Sequence, residues 1–273
     1  MTIGDAMLPG MLRSVDIESL WWISSIALAG LLIATSTVSL FDPGSIGPDS
    51  VWAKPIRFQL SLALHFATLA MFVRGLSEGW RTSKLLLVVA VASIASTMFE
   101  VAYIMVQAAR QQASHFNLST PFHAAMYVLM AIGAVLIVGA AGVVGAIVGI
   151  DAASCFGGVM RTGIAVGLIG GTVLTLVTAF TMGGRLDHHV GAAAANAARM
   201  PLTGWSFEVG DLRVPHFFAT HMIQAVPVAA ALADALVPRA AALAVVWLFA
   251  AARSLATIYL YCAALAGIPL GRF

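Results

Sequence analysis

Seven histidines stand out in a chain otherwise short of ionisable groups: His65, His115, His123, His188, His189, His216 and His221. Imidazole suits zinc or iron equally and moves protons near neutral pH. His65 closes a row at successive i+4 steps with Arg57 and Ser61. His216 and His221 are five residues apart, which puts them about 140° apart around a regular helix. A regular helix cannot aim both at one ion; a π-bulge would. His221 and Gln224, at i+3, share a face. The spacing differs from the HxxxH and HExxH of the familiar zinc helices. His65, His216, His221 and His189 are the candidate ligands for zinc or iron. Zinc held by three protein ligands keeps a fourth position for water and lowers its pKa to about 7.

Acidic and basic groups at membrane depth are costly and point to function. Glu100 is the clearest, in a row with Tyr103 and Gln107. Arg253 forms a similar row with Thr257 and Tyr261. Glu100 and Arg253 lie at depths that differ by roughly 5 Å, so an ion pair between them is feasible. Glu100 and Ser61 are the candidate catalytic groups, Glu100 as general base or further ligand. Arg57 and Arg213 would hold a phosphate or carboxylate head group. Tyr103, Gln107, His115, Asn117, Gln224 and Arg253 complete the expected substrate-binding set. Asp234 is expected to snorkel or to pair with Arg239.

The elements that carry these residues follow from composition. Of 273 residues, 60% are hydrophobic and 10% charged, and the mean hydropathy is +0.96. A soluble domain carries about 25% charged residues, so a soluble enzyme is excluded, as are disordered, collagen-like and disulfide-stapled secreted chains. A formal charge of +2 does not suit a nucleic-acid partner. Crossing a bilayer takes about 20 mostly apolar residues. Seven stretches qualify, at about 20–41, 55–76, 84–109, 121–150, 158–182, 214–237 and 240–267. The reading is an all-α, single-domain bundle of seven transmembrane helices. The first stretch is too long for a signal-peptide core and reads as a retained helix.

Loops after the first, third and fifth spans are long and share one face, and all the histidines lie in that half of the bundle. A histidine-rich polar pocket is therefore expected there. The alanine tract 192–195 in the fifth loop suits a short interfacial helix. Six basic residues, Arg13 among them, border the short-loop face and seven the long-loop face. Discounting the long fifth loop, the positive-inside rule puts the N-terminus in the cytoplasm. Gly145 and Gly149, and Gly163 and Gly167, have the GxxxG spacing that brings neighbouring fourth and fifth spans close. Trp21, Trp22 and Trp80 read as interfacial anchors. Cys155 and Cys262 fall on opposite faces and are not expected to pair.

Several segments resemble a family of bacterial polytopic membrane proteins that carries no assigned activity. They are Trp52-Ala53-Lys54-Pro55-Ile56-Arg57-Phe58, Ser114-His115-Phe116-Asn117 with Thr120-Pro121, and Gly204-Trp205-Ser206 followed by Gly210-Asp211-Leu212-Arg213. The resemblance runs on to His216, His221 and Gln224, and implies a multi-pass protein of the bacterial inner membrane. A looser similarity is to the seven-helix zinc hydrolases that include alkaline ceramidases and adiponectin receptors. Ser61 and His65 match their second-helix Ser-xxx-His, and Glu100 stands for their third-helix acid. Here the histidine pair is spaced by five, lies on the sixth span, and the acid is Glu instead of Asp.

The reading these residues favour is a metal-dependent membrane enzyme acting on a lipid or other apolar substrate. The alternatives are a b-type haem or quinone protein, with His65 and His221 as haem ligands, and a transporter or an accessory subunit of a membrane complex. No inverted repeat supports transport.

Overall fold

A computed structural model of the protein describes residues 16–194 and 197–272. Arg13 and Ala195 lie outside the described residues. The apolar stretches fold as α1 (Ile17–Ser39), α2 (Ala53–Arg74), α4 (Lys84–Ala109), α5 (Pro121–Ile150), α6 (Gly158–Arg185) and α9 (Arg239–Leu265). A short α3 (Glu78–Arg81) follows α2, and α7 (Arg213–Thr220) and α8 (Met222–Leu236) precede α9. Two antiparallel ribbons complete the elements: β1 (Ser45–Ile46) with β2 (Asp49–Ser50), and β3 (His189–Val190) with β4 (Gly210–Asp211). Among the described residues six helices are long and apolar enough to cross a membrane, and α7 with α8 makes a seventh if that bent pair is one span. The chain is an all-α, multi-pass membrane protein. Large apolar side chains such as Ile33, Phe180 and Trp247 stay more than half exposed in the bundle, where lipid covers them. Residues 192–194 carry no helix.

Helix ends are set by local chemistry. Ser83 accepts from the Leu86 N–H at the start of α4, and Thr120 accepts from the His123 N–H at the start of α5, with Pro121 in the first turn. The end of α4 turns through Gln111 at φ 54°, and the Gln112 N–H bonds back to the Gln107 carbonyl at 2.9 Å. That is a Schellman motif with glutamine in the left-handed place usually given to glycine. Gly267, at φ 76°, performs the same turn after α9. In the first loop the Gly44 N–H and then the Trp52 indole, each 2.8 Å away, hold the Asp42 carboxyl below its ordinary pKa.

Close packing corrects two expectations. Gly145 does bring α5 onto α6, because a Cβ there would stand 2.7 Å from the Cβ of Leu168. Gly163, Gly167 and Gly171 instead face α8, against Ala230, Pro227 and Ile223, so the two glycine stripes serve different neighbours. Trp21 is no interfacial anchor: it is fully buried, and its indole donates to Ser93 at 3.2 Å across the α1–α4 contact. Trp80 is half-buried against the core. Both cysteines are free. Among the described residues no ion pair joins Asp234 to Arg239.

The sixth span is broken rather than bulged. A bend of 43° separates α7 from α8 at His221. Pro227 lies inside α8; it lacks the N–H that the Ile223 carbonyl would accept and crowds that carbonyl. His216 and His221 keep ordinary i−4 bonds, to Leu212 and Phe217, so no π-bulge turns them towards one another.

Candidate functional site

The fifth loop builds the densest polar cluster. Its frame is the β3–β4 ribbon, in which His189 pairs with Asp211 and Val190 with Gly210. Gly210 is required there, because any Cβ would run into the Ala264 carbonyl at the end of α9. The Asp211 side chain is fully buried. It accepts from the N–H groups of Ser206 and Arg213, both at 3.0 Å, and from Arg213 Nε at 2.9 Å. Burial pushes its carboxyl up, but the Arg213 hydrogen bond and charge, with those two N–H groups, hold it below the ordinary value. Arg213 also donates to the Gly204 carbonyl at 2.8 Å. Its guanidinium thus shapes the loop.

Beside this frame, Asp187, His188 and His189 converge. Leu186, at φ 55°, turns the chain out of α6. The Asp187 side chain then accepts from the His189 N–H at 2.9 Å. Asp187 Oδ1 lies 3.8 Å from His188 Nδ1 and 3.9 Å from His189 Nδ1, and one ligand atom from each residue falls within 4.8 Å of the others. Tetrahedral zinc with bonds of about 2.0–2.1 Å spaces its ligand atoms roughly 3.4 Å apart. Asp187, which is exposed, comes to that spacing from each histidine with a shift of about half an ångström. The far nitrogen of His189, Nε2, stands 3.8 Å from Asp211 Oδ2. Burial, then the charges of Arg213 and His189, lower the pKa of His188 to about 4. Its imidazole is neutral at pH 7, with a lone pair to give. One carboxylate and two imidazoles are donor types that zinc and iron both take.

The other candidate ligands do not join this set. His65 is buried on α2 with Nε2 3.1 Å from the Ile137 carbonyl of α5. His216 bonds through Nδ1 to Thr178 of α6 at 2.9 Å. His221 packs on Phe217, with ring centroids 4.3 Å apart. Gln224 donates to Thr68 at 3.2 Å. Among the described residues only Asp187, His188 and His189 make a metal-sized group of three, so His189 alone of the four expected ligands belongs to it. Sequence reasoning passed over Asp187 and His188; three consecutive ligand-type residues were the available signal.

A second polar region lies deeper. Glu100 is 2% exposed, and its Oε1 has no hydrogen-bond partner among the described residues. Gly133 of α5 leaves the room it occupies, since a Cβ there would stand 2.7 Å from that oxygen. Arg253 is not its partner. The Arg253 guanidinium lies 4.3 Å over the Phe218 ring, and the cation whose charge acts on Glu100 is Lys54. Lys54 was missed as a site residue. Its Nζ stands 5.9 Å from the centre of the Phe58 ring, which His115 also meets edge-on at 5.6 Å. Burial and the Lys54 charge hold His115 well below the usual histidine pKa. Gln107 donates to the Tyr103 hydroxyl at 3.2 Å, continuing this polar region towards the third loop. Asn117 folds that loop by donating to the Ala113 carbonyl and accepting from Ser119. Arg57 is exposed and donates to the Leu202 carbonyl at 3.4 Å. Ser61 is half-buried on α2.

No family profile matches the chain, no curated protein matches it, and no solved structure matches it.

Proposed function

We propose that this membrane protein binds a zinc or iron ion through Asp187, His188 and His189 and uses it on a lipid or other apolar substrate. The observation that carries the reading is the convergence of one carboxylate oxygen and two Nδ1 atoms on one point at the membrane surface. Three protein donors leave coordination open, the pattern of catalytic sites. Bound there, such an ion would supply Lewis acidity towards an ester, amide or phosphate oxygen.

The chain's own residues prepare the site. His188 is neutral, Asp187 brings the negative charge, and the Asp211–Arg213 pair stands beside His189 Nε2, at 3.8 and 3.5 Å, and holds the ring in place. An apolar groove of about 310 Å³ leads from the bilayer between α5 and α6, walled by Val128, Ala131, Ile132, Val135, Leu136 and Phe180. Tyr127 closes its upper end by donating to the Gly183 carbonyl at 3.2 Å, four residues before Asp187. A lipid chain in the groove would bring its polar end to the loop.

Elemental analysis of the detergent-purified chain tests this. About one equivalent of zinc or iron is expected, and it should vanish when Asp187, His188 and His189 are replaced together by alanine. Equal metal in the wild type and the triple variant would overturn the assignment.

Glu100 favours a second reading, passage of protons or cations. A carboxylate with an unpartnered oxygen at membrane depth is expensive to keep without a use. Proteoliposomes should then show a pH- or cation-driven flux that Glu100→Gln abolishes. No flux, or one unchanged in the variant, removes this reading.

A further inference from the structure

A different groove opens between α4 and α5 in the long-loop half of the bundle, with a volume of about 270 Å³. From α4 come Phe99, Ala102, Tyr103, Val106, Gln107 and Arg110, spaced by three and four so that they share one helical face. Phe122 and Met126 of α5 form the opposite wall. Phe99, Val106 and Phe122 are exposed, and with Ala102 they make the walls apolar. From Phe99 to Arg110 the groove climbs roughly 16 Å along the helix, about half of a hydrocarbon core of ~30 Å. It is one leaflet deep.

Polarity rises towards the surface end. Tyr103 and Gln107 are buried, and the Tyr103 hydroxyl accepts from Gln107 while its own proton remains to be donated. Arg110, at the end of α4, is exposed, and its guanidinium has no ion-pair or hydrogen-bond partner among the described residues. No acidic residue lines the groove. Glu100, one turn from Tyr103, faces Gly133 instead. Walls that are apolar at depth and carry free donors and a free cation at the membrane surface have the polarity of an anionic amphiphile.

We infer that this groove holds one anionic phospholipid of the bilayer, with an acyl chain between α4 and α5 and its phosphate at Arg110. The lipid belongs to a different pair of helices from the metal cluster, so either proposal can fail alone. The Arg110 head-group contact is electrostatic and the chain contact is shape-based, which makes them separable.

The test is native mass spectrometry of the full chain released from bilayers of equal dioleoylphosphatidylglycerol and dioleoylphosphatidylcholine. One phosphatidylglycerol per chain should be retained in preference to phosphatidylcholine. Arg110→Gln should cut that preference roughly fivefold, the size expected for one basic residue against an anionic head group. Because Arg110 has no partner to lose, this variant keeps the fold. Ala102→Trp, which fills the groove, should lower retention of both lipids. Arg74→Gln, at the other end of the bundle, should change nothing. Retention without head-group preference, or a preference that survives Arg110→Gln, overturns the inference. So does a bound protein partner that excludes lipid from the groove.

Discussion

Five of the seven histidines fall into two groups that the bundle treats differently. His65 and His216 sit among helices, each with a ring nitrogen engaged by a carbonyl or hydroxyl of a neighbouring helix, and His221 is stacked against Phe217. His188 and His189 sit in a loop, and both turn Nδ1 towards Asp187. The difference reflects solvent. Between helices in lipid there is no water to satisfy a polar atom, so the protein must do it. A histidine there becomes a strut. At the surface water can satisfy the ring, and a lone pair stays available for a ligand.

Changes on the loop side should have the largest effects. His189→Ala should cost the chain its bound metal, measured as equivalents per chain. Asp211→Asn should loosen the loop by weakening its hold on Arg213 and the Ser206 N–H, and so lower metal affinity, read by competition with a chelator. The proton equilibrium of His188 gives a smaller, graded effect. Its folded pKa of about 4 lies below the ordinary 6.5, so the unfolded chain binds more protons between these values. Stability of the metal-free protein should therefore be full above about pH 6.5 and decline as pH falls towards 4. His188→Gln should flatten part of that decline in the melting temperature. The smallest effect on metal belongs to the bundle: His221→Ala and His216→Ala should keep the full metal content. His216→Ala should lose only about 1–3 kcal/mol of stability, from the lost Thr178 hydrogen bond and packing, since the Thr178 hydroxyl keeps the Leu174 and Thr175 carbonyls as acceptors. Metal loss in either of these variants would break the division.

What the sequence made legible follows from short-range rules. Apolar stretches near bilayer length mark the spans, and the depth of Glu100 needs only its place along α4. Its partner was not legible, because depth does not give neighbour order. α9 packs on α6, α7 and α8, while α2 and α5 flank α4, so it is the charge of Lys54, at the start of α2, that acts on Glu100, and Arg253 turns to Phe218. Similarly, an i+5 spacing fixes an angle only along a straight helix, and Pro227 announced that this one is bent. The Asp187–His188–His189 group was the hardest to see. Asp187, His188 and His189 are adjacent in the chain, but their convergence depends on left-handed Leu186 and on a ribbon partner beyond Trp205.

The seat of that ribbon on the last helix has a consequence for biogenesis. Gly210 lies against the Ala264 carbonyl, and the Val190 carbonyl approaches Gly267. His188 and His189 leave the ribosome long before the residues that hold their ribbon in place. The loop therefore reaches its final shape only after α9 has been inserted, and an ion bound at the proposed site would be acquired last. Chains arrested before α9 should take up less zinc than chains arrested after Phe273, and that contrast times the site's assembly.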